Sequence, residues 1–206
     1  MKVKVALSAG VIQGGKSGVA QYVFGLLKGL APKREELDLT ILGFPSEKKL
    51  FEPWLNWCRW ADIPEAFHSP IANLFWHQTF LRQWLRRERV DVLHIPSYRR
   101  IVWRAPCRQL VTIHDCGAFV MREKYDPFRT FFGTRIVPAL AAQTDRIVTV
   151  SEFTANDVSR YFKLPRESLS VVHNGIDHER FRPPDPEALR EWKERKPKGD
   201  APYFIY

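Results

Sequence analysis

Cysteine is scarce in this chain. Three thiols among 206 residues, Cys58, Cys107 and Cys116, are odd in number and never fall as CxxC, which excludes a disulfide framework and a cysteine-based zinc site. Long apolar runs are missing as well. None approaches the ~18 residues of a membrane-spanning helix, and residues 1–10 are too short and too charged to read as a secretion signal. Composition carries no bias, with 45% hydrophobic and 27% charged residues, so collagen-like, coiled-coil and disordered classes are excluded. These absences predict a globular protein of one large domain or two small ones, working in the cytosol.

Catalytic signatures are also few. There is no GxGxxG dinucleotide fingerprint, no GxSxG elbow and no HExxH zinc helix. The six histidines (His68, His77, His94, His114, His173, His178) include no i,i+4 pair, so no helical metal site is expected. Acid is in deficit. The net charge of +9 favours phosphorylated ligands, polyanions or an anionic membrane surface. No nucleic-acid recognition motif accompanies it, so no nucleic-acid partner is expected.

What is present alternates strand and helix. Residues 2–9 (KVKVALSA) read as a buried strand. A loop with Gly10, Gly14, Gly15 and Gly18 follows, and Val19, Tyr22, Val23, Leu26, Leu27 and Leu30 then mark one face of a helix that Pro32 stops. Residues 37–44, 91–95, 109–113, 146–150 and 169–172 are further strand candidates; 71–89, 128–143 and 151–162 read as helices, with Pro138 expected to kink the second. Residues 50–67, with Trp54, Trp57 and Trp60, stay ambiguous. The alternation predicts an α/β fold, a mostly parallel Rossmann-like sheet with helices on both faces.

Composition shifts after Phe181. Residues 182–202 hold five prolines and eleven charged residues, as a linker does, and the apolar run 203–206 (YFIY) then resembles an opening strand. The expected organisation is a first domain over 1–181, a linker over 182–202, and the start of a second, truncated domain over 203–206.

From Gly10 to Ser17, GVIQGGKS matches the P-loop pattern GxxxxGKS between a strand and a helix. Such a loop would hold phosphate on backbone N–H groups, with Lys16 pairing to it and Ser17 on magnesium. A nucleotidase also needs an acid after a second apolar strand, and the nearest is Asp115, behind His114. In open α/β sheets ligands bind beyond the carboxyl ends of the strands. Those ends carry the glycine loop, His94 to Tyr98 (including Ser97), His114-Asp115, Ser151-Glu152 and His173-Asn174-Gly175. His114 stands out because imidazole donates or accepts near neutral pH, although a purely structural hydrogen bond to Asp115 or backbone suits it too. Ser151 also suits a helix cap.

Five segments in order, GVAQYVFGLLKGLA (18–31), DVLHIPSY (91–98), VTIHD (111–115), DRIVTVSEFTANDVSRYF (145–162) and LSVVHNGIDHERFRP (169–183), resemble the N-terminal half of retaining glycosyltransferases of family 4. The resemblance implies a GT-B architecture of two Rossmann-like halves, the N-terminal one holding the acceptor. The absent half would hold a nucleoside-diphosphate sugar and a Glu-x7-Glu motif. It implies transfer of a mannose- or glucose-type hexose to a glycan or glycolipid acceptor, with no tightly bound cofactor and no metal required, and a fragment inactive alone. Carried over by position, His114 and Asp115 are catalytic, His114 contacting the transferring sugar and Asp115 supporting its turn. Gly14, Gly15, Lys16 and Gly18 approach the donor phosphates; Ser97, Tyr98, Ser151, Glu152 and Asn174 line the acceptor cleft. Gln21 stands where the family commonly has arginine, and Lys16 is the candidate to supply that charge. A P-loop ATPase using Gly10 to Ser17 and a non-catalytic glycan-binding module are the alternatives.

Residues 75–89 (FWHQTFLRQWLRRER), from Phe75 to Arg89, combine Trp76, Phe80, Leu81, Trp84 and Leu85 with four arginines. A basic amphipathic helix of this kind either covers the sheet with its aromatic face or lies in a membrane interface. With Arg99, Arg100 and Arg104 nearby in sequence, a lipid-linked acceptor would suit peripheral attachment to the inner membrane face.

Overall fold

The first strand made lies inside the sheet, next to its middle strand. In a computed structural model describing residues 2–121, 123, 127–179 and 181–195, β1 (Val3–Ser8) lies between β2 (Leu37–Gly43) and β4 (Val92–Ile95). It is joined to β4 also by the Lys4 amide donating to the Asp91 carboxylate at 2.9 Å. With β3 (Arg59–Asp62), β5 (Arg108–Ile113), β6 (Arg146–Thr149) and β7 (Leu169–Val171), the order is β3-β2-β1-β4-β5-β6-β7, all parallel. The predicted Rossmann-like α/β sheet is therefore what the chain forms.

Parallel strands need covered faces, and two cores cover this sheet. On one side α1 (Gly18–Leu30) buries Val23 and Leu27 of the predicted stripe, together with Ala20, against Leu7, Leu39 and Ile41. Ser17 caps it, its Oγ accepting the Ala20 amide proton. On the other side lie α2 (Pro70–Gln78), α3 (Phe80–Glu88), α6 (Val137–Ala141) and α7 (Glu152–Phe162), packed on Leu93, Ile95, Val111 and Ile113.

Three segments depart from expectation. The single helix over 71–89 is two, because Thr79 (φ −120°, ψ −79°) leaves helical geometry while its hydroxyl donates to the Phe75 carbonyl at 2.7 Å. A β-branched hydroxyl residue competes for helix carbonyls in this way. After the break Leu81 and Leu85 are buried and Phe80 is left 46% exposed. The helix over 128–143 is three pieces: α5 (Pro127–Phe131), a π turn (Phe132–Ile136) and α6, with a further short helix, α4 (Gly117–Val120), ahead of them. Pro138 has no N–H and its ring crowds the carbonyl four residues back, which a wide turn relieves. The ambiguous 50–67 stretch resolves into a 3-10 helix over Pro45–Trp54 and the half-exposed edge strand β3.

The chain divides into two units, Met1–Asn174 and Gly175–Tyr206. Within the second, the segment read as linker contains α8 (Pro186–Arg195), with Asp185 accepting the Glu187 amide proton at 2.9 Å. The strand expected over 203–206 lies outside the described residues.

Candidate functional site at the strand carboxyl ends

The sheet order reverses at β1: the loop after it turns to α1, while the chain after β4 crosses to the opposite face. Such a switch point opens a crevice between the two loops. The first loop is wound through three consecutive left-handed residues, Gln13 (φ 51°), Gly14 (φ 66°) and Gly15 (φ 80°). Glycine suits two of these positions because it carries no Cβ to clash there. The Gly14 amide donates to Glu47 Oε1 at 2.7 Å, and Glu47 is 6% exposed with Oε2 lacking a partner. Gln21 Nε2 braces the loop by donating to the Gly15 carbonyl at 3.1 Å.

This is not P-loop geometry. A carboxylate occupies the amide a phosphate would use, and the Ser17 hydroxyl is spent on the helix cap and on the Ile12 carbonyl at 3.1 Å. Lys16 and Gly18 are exposed on the rim.

Tyr22 of α1, His94 of β4 and Thr112 of β5 bring a group of polar side chains together. Thr112 on β5 and His114, one residue past its end, lie on the same side of the sheet, both in contact with Tyr22. Thr112 Oγ1 is hydrogen-bonded to Tyr22 Oη at 2.9 Å and to His94 Nε2 at 3.0 Å. The Tyr22 ring meets His114 edge-on, centroids 4.8 Å apart. His114 Nε2 lies 3.0 Å from the Pro96 carbonyl. A carbonyl only accepts, so Nε2 carries the proton and the neutral ring keeps its lone pair on Nδ1. Burial holds the His114 pKa below the ordinary range, and burial with His114 nearby takes His94 to about 4. Both rings are neutral at pH 7.

The other predicted residues divide. Asp115 is exposed, its Oδ1 accepting the Gly117 amide proton at 2.8 Å, a turn brace. Ser151 caps α7, and its neighbour Thr154 donates to the His114 carbonyl at 3.2 Å, so the cap is tied to His114. Ser97 is half-buried beside Pro96. Tyr98 is placed in the core rather than on the cleft lining, 6% exposed with its ring against Phe162, because its 3-10 turn directs it inward; burial raises its phenol pKa. Glu152 pairs with Arg166 at the surface, and Asn174 is exposed; no described contact joins either to the His114 group.

A second buried chain runs on the α2 side. Ser8 Oγ, at the end of β1, is 2.7 Å from His77 Nε2, and His77 Nδ1 is 2.7 Å from the Asn73 carbonyl. Asn73 Oδ1 accepts from Arg100 Nε at 2.5 Å, leaving Asn73 Nδ2 without a partner. Burial drives His77 to about 3 and Arg100 to about 10. Sequence reasoning missed Tyr22, Thr112 and Glu47 as site-forming residues, and named Arg100 only with Arg99 and Arg104 for membrane attachment. Only Thr112 had a signal, its i,i+2 relation to His114. Among the described residues no group of three or more His, Cys, Asp or Glu side chains converges as metal ligands do.

Chemically, the crevice offers a neutral imidazole acceptor and the amide end of α1, whose partial positive charge favours anions. A family model described as Glycosyltransferase Family 4 matches residues 16–180. No curated protein matches the chain. Among solved structures, the Anabaena protein Alr3699/HepE in complex with UDP-glucose aligns with a TM-score of 0.65 at 15% identity, over 93% of this chain and 49% of that one. A glycosyltransferase from Rickettsia africae ESF-5 gives 0.56 at 14% identity, over 94% and 49%. A UDP-glucose: anthocyanidin 3-O-glucosyltransferase in complex with UDP gives 0.60 at 13% identity, over 95% and 58%. The chain spans about half the length of the first two, and at such identities the likeness shows the fold.

Proposed function

This chain belongs to glycosyltransferase family 4, and from that premise we propose that it is the acceptor-side half of a two-domain GT-B enzyme. The enzyme moves a mannose- or glucose-type hexose, with retention, from a nucleoside-diphosphate sugar to a glycan or lipid-linked acceptor. The observation that carries the reading is His114: a neutral ring just past the end of β5, its proton fixed on Nε2 by the Pro96 carbonyl and its face against the Tyr22 ring of α1. Its Nδ1 accepts a hydrogen bond from a hydroxyl of the transferring sugar. Breaking the sugar–phosphate bond places negative charge on the leaving phosphate, which the α1 amide end, Gly14, Gly15, Gly18 and Lys16 meet without calling for a metal. For Gly14 to join them, its amide must leave Glu47 as the donor arrives. Asp115 holds the turn that carries His114, and Ser97, Ser151, Glu152 and Asn174 face the acceptor. The enzyme works in the cytoplasm, against the inner membrane face when its acceptor is a lipid.

The test is transfer from nucleoside-diphosphate hexoses by this chain joined to its donor-binding half, with product anomer read by NMR. His114→Ala is expected to lower kcat roughly a hundredfold while circular dichroism stays unchanged. An unaltered kcat sinks the role of His114. The 206-residue chain alone is expected to turn over neither sugar nucleotide nor magnesium-ATP; ATP hydrolysis would restore the P-loop reading.

A further inference from the structure

Arg100 ends the 3-10 turn Tyr98–Arg100 in the loop after β4, and its guanidinium meets no acid. Nε donates to Asn73 Oδ1 at 2.5 Å and Nη1 to the Arg99 carbonyl at 3.4 Å. Among the described residues Nη2 has no partner, and no carboxylate lies within ion-pair distance of the group. The side chain is half-buried, and burial brings its pKa down to about 10 while the charge of Arg99 adds to its own.

Asn73, on α2, is 1% exposed. A guanidinium only donates, so Oδ1 must be the atom that faces Arg100, and the orientation of the amide is fixed. Nδ2 is left turned away without a partner, 3.5 Å from the position a Cβ on Gly10 would take. The Asn73 carbonyl is held by His77 Nδ1 at 2.7 Å, which braces the helical turn that carries the amide. His77 is neutral and brings no charge of its own. The unpartnered donors thus reach from the loop after β4 to the first residue of the glycine loop. That same β4 loop supplies the Pro96 carbonyl to His114 Nε2.

A guanidinium without a counter-charge beside a stranded amide is a surplus of donors in half-dry surroundings. Water accepts from such groups but leaves the charge uncompensated; an oxyanion accepts from both and supplies the missing charge. Phosphate suits the position better than carboxylate, because Arg99 adds a second positive charge and a phosphate monoester carries close to two negative ones.

We propose that Arg100, aimed by Asn73, is the binding residue of a phosphate site next to the start of the glycine loop, with the Asn73 amide as second donor. The phosphate comes with the sugar nucleotide or with a phosphorylated acceptor. The inference rests on the transferase reading only for that choice, whereas its test reads binding alone. Failure here therefore leaves the transferase reading standing, and absence of transfer leaves this site standing.

The experiment titrates the 206-residue chain with inorganic phosphate, UDP and glucose-6-phosphate at low ionic strength, followed by calorimetry and phosphorus NMR. Glucose is the uncharged comparison. Saturable one-to-one binding of inorganic phosphate is expected, and none of glucose. Arg100→Gln should weaken phosphate binding about tenfold. Asn73→Asp, which hands Arg100 an internal carboxylate, should abolish it. Arg195→Gln on α8 should change nothing, although all three variants lower the net charge equally. Circular dichroism checks the fold of each, and Asn73→Asp decides alone if Arg100→Gln does not fold. Loss of UDP affinity in the site variants would assign the phosphate to the donor, and loss of glucose-6-phosphate affinity would assign it to the acceptor. No binding of phosphate, binding that survives both site variants, or binding that Arg195→Gln weakens equally would each overturn the site, the last by showing diffuse charge attraction.

Discussion

Two buried imidazoles flank β1, one on each side of the sheet, and they are set to different uses. His94 is bonded to Thr112, which Tyr22 shares, and the Tyr22 ring leads to His114 and its Nδ1 lone pair. His77 is bonded to Ser8 and the Asn73 backbone, and Asn73 leads on to Arg100. Both rings are held neutral by burial, at about 4 and about 3. One network therefore ends in a neutral acceptor at the rim and the other in a cation.

The largest test of this pairing is acid. Both histidines have folded pKa values below the ordinary 6.5, so protons bind the unfolded chain first. Stability is intact above about pH 6.5 and declines as pH falls toward about 4 for His94 and about 3 for His77. Between pH 7 and 5 the two together should cost roughly 4 kcal/mol, read from urea midpoints. A flat profile would mean that neither ring is held neutral by the fold, and a half-sized slope that only one is.

His77→Leu separates the two sides. It strands the Ser8 hydroxyl and the Asn73 carbonyl, at an expected cost of about 3 kcal/mol at pH 7, and should halve the acid sensitivity. Retention of the full acid response would assign that response to other groups. Glu47→Ala acts on the α1 side alone: losing a charge-assisted bond should cost about 2 kcal/mol and expose the Gly14 amide to hydrogen exchange. Slow exchange of that amide in the variant would show that Glu47 does not hold the loop. Smallest is Tyr22→Phe, which keeps the ring against His114 and removes the bond to Thr112, for about 1 kcal/mol. A much larger loss would show that Tyr22 and His94 act as one cooperative unit.

Strands that end on a polar residue were readable because the apolar run and its terminus are local. That is how β1, β4, β5, β6 and β7 were located, and with them His114. The edge strand β3 was hidden, since half-exposed RWAD has no apolar signature. The break at Thr79 was hidden because aromatics at i+4 continue across it, while the competing hydroxyl bond belongs to one side chain. Tyr22 lay inside the hydrophobic stripe of α1, where its ring reads as core and its hydroxyl bond to Thr112, 90 residues away, leaves no local trace. Glu47 is invisible for the same reason, its partner Gly14 being 33 residues off.

The interior position of β1 bears on how the molecule is made. Its second edge is closed by β4, and Lys4 waits for Asp91, 87 residues later. Emerging from a ribosome at about 5–20 residues per second, the chain carries a finished β1 with a bare edge for several seconds or longer. Non-local closure of this sort slows folding and leaves strand edges open to other chains. The apolar strand that anchors the crevice in the finished protein is, during synthesis, an adhesive one.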